Sequence, residues 1–310
     1  MGQHFLDYLE NNQFPFEVMG LDLTSSLAHR KYKYLKIHHK NVNLLDKENV
    51  SKIISNFKPD YLSHLASFSS VAYSWEHPVE SFQNNTNIFL NIVESVREAG
   101  LSTRILSIGS SEEYGRLSEK DLPISEDAKL DPINPYAVAR VSQEMLSQVY
   151  VDSFGLDIIM TRSFNHIGAR QKEMFVVSSF AKKLVELKKT GQRKGRISTG
   201  DTTIVRDFLD VRDVTAAYYG LLISGKKGEI YNVCSGVGIS LKEIIQKMTK
   251  VLDIEVDIVV DELLLRPTDN KIIIGSNTKI KNDIGWINII SLDKSIEDII
   301  EFWKDEMGAS

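Results

Sequence analysis

Tyr136 and Arg140 stand four residues apart in DPINPYAVAR (131–140), a spacing that sets both side chains on one face of a helix. A cation beside a phenol stabilises phenolate, so such a hydroxyl can exchange protons closer to neutral pH. A tyrosine lying over an arginine on an ordinary helix has the same spacing. RILSIGSSEEYG (104–115) delivers Ser110, Ser111 and Glu112 at the end of an apolar run. At the carboxyl end of a buried strand, two hydroxyls and a carboxylate can hold and protonate a substrate oxygen. A plain polar loop is the alternative. FEVMGLD (16–22) ends in Asp22, whose carboxylate can accept hydrogen bonds from an adenosine ribose diol and would repel a 2′-phosphate, favouring NAD over NADP. Aspartate at a strand end also forms turns.

These residues need a scaffold that collects strand ends. FEVMGLD (16–22), YLKIH (34–38), DYLSHLA (60–66), TRILSIGS (103–110) and LDIIMTRSF (156–164) read as strands, several apolar at consecutive positions. Continuous apolarity is what a parallel strand covered on both faces requires. Helical patterns alternate with them at 3–11, 47–57, 79–100 and 135–155, the last two ending in Gly100 and Gly155. Asn134-Pro135 supplies a cap and a first-turn proline. Strand–helix alternation predicts an α/β fold with a doubly wound parallel sheet. Beyond residue 165 longer loops, a basic stretch (188–196) and shorter helices predict a smaller α/β second unit. Ser240-x-x-Glu243 has capping-box spacing, and 291–303 makes a final helix. The expected division is 1–165 and 166–310, with segments about 204–234 returning to the first.

Composition narrows the field. The 310 residues carry 37 basic and 42 acidic side chains, a net charge of −5 without long blocks of either sign, which gives no electrostatic reason to expect nucleic acid. Cys234 is the only cysteine, excluding an internal disulfide and a thiolate metal site; no metal is expected. His38 and His39 would point to opposite faces of a strand. No apolar run approaches the length of a membrane span, and the first residues lack a signal-peptide pattern, so a cytoplasmic location is expected.

Taken in order along one α/β chain, the three signals resemble the extended short-chain dehydrogenase/reductase family that acts on nucleotide-linked sugars, and the resemblance covers nearly all 310 residues. HLAS (64–67) is similar to the family's motif at the end of its fourth strand, and Asn85 to its structural asparagine. The resemblance implies catalytic roles for Ser110, Tyr136, Arg140 and Glu112. It implies cofactor contacts at Gly2, Asp22, Asn43, Leu44, Leu65, Ala66 and Ser67, together with Tyr136 and Arg140. SFNHIGARQ (163–171), FVVSSFAKK (175–183), IVRDFLDVRDV (204–214) and the segment 263–286 imply substrate contacts at Asn165, Val176, Ser179, Arg206 and Arg266, with Ser111 beside the reacting group. Arginine suits a diphosphate because its planar fork pairs two oxygens at once. FNHIG and GSSEEYG lean towards the branch that reduces the 4-keto group of a GDP-linked 6-deoxy-hexose with NAD(P)H, NAD(H) favoured over NADP(H). Members commonly form homodimers through the helices at about 79–100 and 135–154. Phe82, Ile88, Ile92, Met145 and Val149 are candidates there for core or interface.

The pattern departs in three places. Arg140 stands where the family has lysine, keeping the charge on a bulkier, directional head. The family's opening strand and Gly-x-x-Gly-x-x-Gly turn are matched only at the last glycine, Gly2, and by the helix that follows it. The expectation is a doubly wound Rossmann-like sheet lacking its first strand, in an N-terminally truncated member, with upstream DNA encoding a short apolar strand and two more glycines. A true short form that fills the gap otherwise is the alternative. Finally, serines 178 and 179 stand where one carboxylate could accept both donors of guanine, and Asn43 stands for an aspartate near adenine. Two other functions stay open: a nucleotide-sugar 4,6-dehydratase using Glu112 as acid–base carboxylate, and a non-catalytic nucleotide-sugar-binding protein.

Overall fold

The computed structural model describes residues 1–24, 31–264 and 270–308. Helix α1 (Gly2–Asn11) leads into strands β1 (Glu17–Asp22) and β2 (Lys36–Asn41), which pair in parallel from Glu17↔Lys36 to Asp22↔Asn41. Leu6 and Leu9 of α1 meet Leu35, Val18 and Ile37 in a small apolar cluster. The second strand runs three residues beyond the expected 38, because the ladder with β1 continues to Asn41.

Helix α2 (Lys47–Phe57), capped by the Asp46 carboxylate on Asn49 N–H at 3.2 Å, returns the chain to β3 (Tyr61–His64). This strand is shorter than the apolar run 60–66. Residues 65–68 leave the sheet as a loop, and Asn85 fixes it: its amide accepts from Phe68 N–H at 2.8 Å and donates to Phe68 C=O at 3.1 Å. A short helix α3 (Val71–Glu76) precedes α4 (Pro78–Glu98), whose first residue is a proline with no helical N–H to lose. Then follow β4 (Arg104–Ser110), α5 (Pro135–Phe154), β5 (Asp157–Ser163), β6 (Asn165–Ile167), α6 (Val176–Lys189), β7 (Lys194–Thr199), β8 (Val205–Asp210), α7 (Val211–Ser224) and β9 (Ile230–Val233).

Among the described residues β3, β4, β5 and β9 form one parallel four-stranded sheet. Alternate residues of β4 and β5 serve opposite faces. Ile105 and Ile158 pack with Val50, Phe89 and Val93 of α2 and α4, whereas Leu106 and Ile159 pack with Val214, Ala217 and Leu221 of α7. That is why these strands carry consecutive apolar residues. Burying each such side chain contributes about 1.5–3 kcal/mol. β1 and β2 form a separate sheet. No described strand joins β1 to β3, and Val18 to Leu21 are only half-buried where Ile105 to Ser107 are fully enclosed. The expected parallel α/β architecture is present, with this seam through it.

The remaining elements are β10 (Gly238–Ser240), α8 (Leu241–Leu252), β11 (Glu255–Val260), β12 (Ile272–Ile273), α9 (Thr278–Ile284) and α10 (Leu292–Met307). The predicted capping box opens α8: Glu243 N–H donates to Ser240 Oγ at 3.1 Å, and Ser240 N–H to Glu243 Oε2 at 3.0 Å. β8 pairs with β6, β10 and β12, and β7 with β11. Phe180, Leu184, Ile244, Met248, Ile296 and Ile300 make a second core from α6, α8 and α10. Among the described residues no helix is long and apolar enough to cross a membrane.

Candidate active site

The carboxyl end of β4 and the first turns of α5 are locked together. Ser110 ends the strand and caps the single 3₁₀ turn 111–114, its Oγ accepting from Glu112 N–H at 3.2 Å. Ser110 N–H donates to Glu113 Oε1 at 2.6 Å. Asn134 caps α5, its Oδ1 accepting from Ala137 N–H at 2.8 Å, while its Nδ2 donates to Glu112 Oε2 at 2.9 Å. Glu112 thereby ties the Ser110 turn to the start of the helix that carries Tyr136. Ser111 is buried within the same turn.

On α5, Tyr136, Arg140, Gln143 and Ser147 share the face turned to β4, all of them buried. The Arg140 guanidinium carbon lies 5.2 Å from the centre of the Tyr136 ring. Its Nη1 donates to Ile108 C=O at 3.1 Å and to Gln143 Oε1 at 2.6 Å. The buried Nε has no acceptor among the described residues, and no carboxylate there forms an ion pair with Arg140. His64, at the end of β3, sits beside this cation. Burial first and the Arg140 charge second push its imidazole down to about 3, so it is neutral. Glu113 is completely buried behind Ser110. Desolvation, followed by the neighbouring Glu144 carboxylate, raises its carboxyl well above the usual range, against the pull of Arg162 and Arg140.

A buried guanidinium with no carboxylate, beside a phenol that takes no hydrogen bond from the described residues, fits a ribose diol and a substrate oxygen as missing partners. The other expected cofactor contacts lie at the start of α1 and just past the ends of β1, β2 and β3. A Cβ added to Gly2 at the start of α1 would lie 3.9 Å from Leu65 Cδ1, so these two are neighbours. Ala66 and Ser67 follow on the loop held by Asn85 and are half-buried. Asp22 is exposed at the end of β1, with Oδ1 accepting from Thr24 N–H at 3.0 Å, so it forms a turn as well. Asn43 lies just past β2 and caps its own loop on Leu45 N–H at 3.0 Å. The Leu44 side chain is in the core, leaving only its backbone for a ligand.

The expected substrate contacts lie on β6, β8 and the first turn of α6. Asn165 is exposed and opposite Phe208, two residues from Arg206. Arg206 Nη1 donates to Val205 C=O at 3.0 Å and Asn270 C=O at 2.8 Å. Val176 is exposed and Ser179 half-buried, whereas Ser178 is buried, donating to Gln171 C=O at 2.6 Å and accepting from Trp303 Nε1 at 3.1 Å. Arg266 lies outside the described residues.

Three participants escaped the sequence reading. Glu113 was signalled by the Ser-x-x-Glu spacing from Ser110, a capping box read at 240 and overlooked here. Gln143 was signalled by its place three residues after Arg140. His64 had no signal of burial beyond the strand pattern.

The chain is similar to known proteins along most of its length. Residues 1–299 match the family described as GDP-mannose 4,6 dehydratase. The chain is 32% identical over 280 residues to GDP-6-deoxy-D-mannose reductase of Pseudomonas aeruginosa, covering 90% of this chain and 91% of that one. It superposes on the solved structure of RMD from Pseudomonas aeruginosa with NADPH at a TM-score of 0.82 and 29% identity, over 93% of this chain and 99% of the other. A UDP-glucose 4-epimerase from Thermotoga maritima, solved with UDP-glucose, gives a TM-score of 0.87 at 25% identity, over 99% and 96%. Matched over residues 1–299 and 32% identical to a relative across 90% of its length, the chain belongs to the GDP-mannose 4,6 dehydratase family of nucleotide-sugar enzymes.

Proposed function

We propose that this protein reduces the 4-keto group of a GDP-linked 6-deoxy-hexose. The observation that carries the reading is the pairing of Tyr136 with a buried Arg140 that has no carboxylate partner among the described residues. A cation so placed stabilises phenolate, which lets Tyr136 give its proton to the oxygen that becomes the 4-hydroxyl. Ser110 Oγ hydrogen-bonds the same oxygen, and Glu113 holds the Ser110 backbone for that task. Glu112, through Asn134, keeps the serine turn and the tyrosine helix in register. The nicotinamide, when bound, supplies the hydride. Arg140 and the phenol hold its ribose; Gly2 and the α1 N-terminus face its diphosphate, Leu65 to Ser67 line its path, and Asn43, Leu44 and Asp22 take the adenosine end. Asp22 favours NADH. Asn165, Arg206 and Arg266 grip the sugar diphosphate, and Val176, Ser179 and Ser111 border the nucleotide and sugar.

We also propose the division at residue 165, with segments about 204–234 returning to the first unit, and a homodimer. The 4,6-dehydratase reading draws on the family's name and on Glu112, and it differs in leaving the coenzyme unconsumed. The test is Tyr136→Phe. Turnover of the keto sugar should fall by about 100-fold or more, far beyond the loss of coenzyme affinity that removing the hydroxyl brings. Activity within a few-fold of wild type contradicts the assignment.

A further inference from the structure

We propose that Gln143 is a positioning residue that makes an arginine serviceable at position 140; the inference deepens the reductase reading and rests on it. An arginine is longer than a lysine, and its fork needs fixed acceptors. Gln143 Oε1 supplies one at 2.6 Å from Nη1, and Ile108 C=O supplies another at 3.1 Å. The orientation of the amide is dictated. Its Nε2 donates to Ser107 Oγ at 2.9 Å and Ile108 C=O at 3.1 Å, so a flip would turn donors against the guanidinium and leave both oxygens short. Ser147 Oγ completes the chain, 3.0 Å from Ser107 Oγ. Ser107 is therefore bound by both residues of α5 that follow Arg140 on its inner face.

The chemistry explains why the anchor is an amide. A glutamate there would form a salt bridge and drain the field that Arg140 exerts on Tyr136. A neutral acceptor fixes the head and leaves the charge intact. The other ionisable groups around Arg140 do not replace the anchor: His64 from β3 is neutral, Glu113 is drawn towards its protonated form, and Tyr218 from α7 is engaged with Ser163 Oγ at 2.7 Å. The buried Nε has no acceptor among the described residues.

The test is a cycle of Gln143→Met, Arg140→Met and the double variant, with Gln143→Glu alongside, each checked for fold by circular dichroism. NADH and NADPH affinity, read by tryptophan quenching, needs no keto sugar. Gln143→Met should weaken coenzyme binding about 10-fold in the wild-type background and by less than about 2-fold when residue 140 is already methionine. Gln143→Glu, which keeps the shape and the acceptor, should hold affinity within about 3-fold. It should move the alkaline limb of the kcat/KM profile to higher pH. Additive losses, an unmoved limb, or no coenzyme binding by the folded wild type overturn the proposal. Coenzyme binding with the expected cycle but no keto-sugar reduction instead overturns the reductase reading and leaves the Gln143 assignment standing.

Discussion

His64 illustrates how one residue near the site links function to stability. It is 2% exposed, its ring lies 5.4 Å from that of Phe89, and its imidazole titrates near 3 when folded, against about 6.5 for a free side chain. The unfolded chain therefore takes up the proton first as pH falls. The stability this site confers is complete above about pH 6.5 and is lost progressively between there and pH 3. By about pH 5 the loss from this one group should reach about 2 kcal/mol. Urea unfolding at neutral pH and near pH 5 measures it: His64→Leu should lose less stability than wild type by that amount. Equal losses in the two proteins would show that His64 protonates freely in the fold. At this scale the sequence was informative where chemistry has a spacing. Tyr136 and Arg140 share a helix face as expected, and Asp22 ends its strand. It was less informative where burial decides. Spacing marks Gln143 and Glu113, but only the packing of α5 on β4 encloses them.

At the level of elements, the site depends on loops that are held by side chains and not by sheet bonds. Asn85 reproduces a strand partner for Phe68 with its own amide, which stops β3 at His64 and sets the loop 65–67. Asn85→Leu would leave a half-buried N–H and C=O without partners, at a cost of about 1 kcal/mol or more, and should weaken coenzyme binding along with stability. Denaturant unfolding and a coenzyme titration of the same sample check both; a stable variant with unaltered affinity contradicts the role. Helix α5 was readable end to end, since Asn134, Pro135 and Gly155 mark its boundaries, the last with φ of +71°. Helix α3 was not, because six residues give too little periodicity to distinguish it from a turn.

The whole molecule presents a long outer face on α4 and α5. Ile88 and Ile92 belong to the core, whereas Phe82, Met145 and Val149 are 39%, 61% and 50% exposed, with Val79 and Val138 beside them. An apolar stripe of this kind on two adjacent helices suits a two-fold contact between copies. Sedimentation should find a dimer that Met145→Lys converts to a monomer with unchanged helicity; a monomeric wild type contradicts the proposal. Sequence could nominate all five residues but not divide them, because both core and interface are apolar at helical spacing. The α/β architecture was legible from consecutive apolar strands, while the separate sheets of β1–β2 and β3–β4–β5–β9 could be anticipated only through the resemblance.

Coenzyme stoichiometry separates reduction of the sugar from its dehydration or epimerisation. Purified protein would be given a GDP-linked 4-keto-6-deoxy-mannose with NADH or NADPH, and coenzyme oxidised would be counted against sugar converted. One reduced coenzyme consumed per hydroxyl formed is the expected result. Conversion of a nucleotide sugar without net consumption of coenzyme, as a dehydratase or epimerase performs it, would contradict the account.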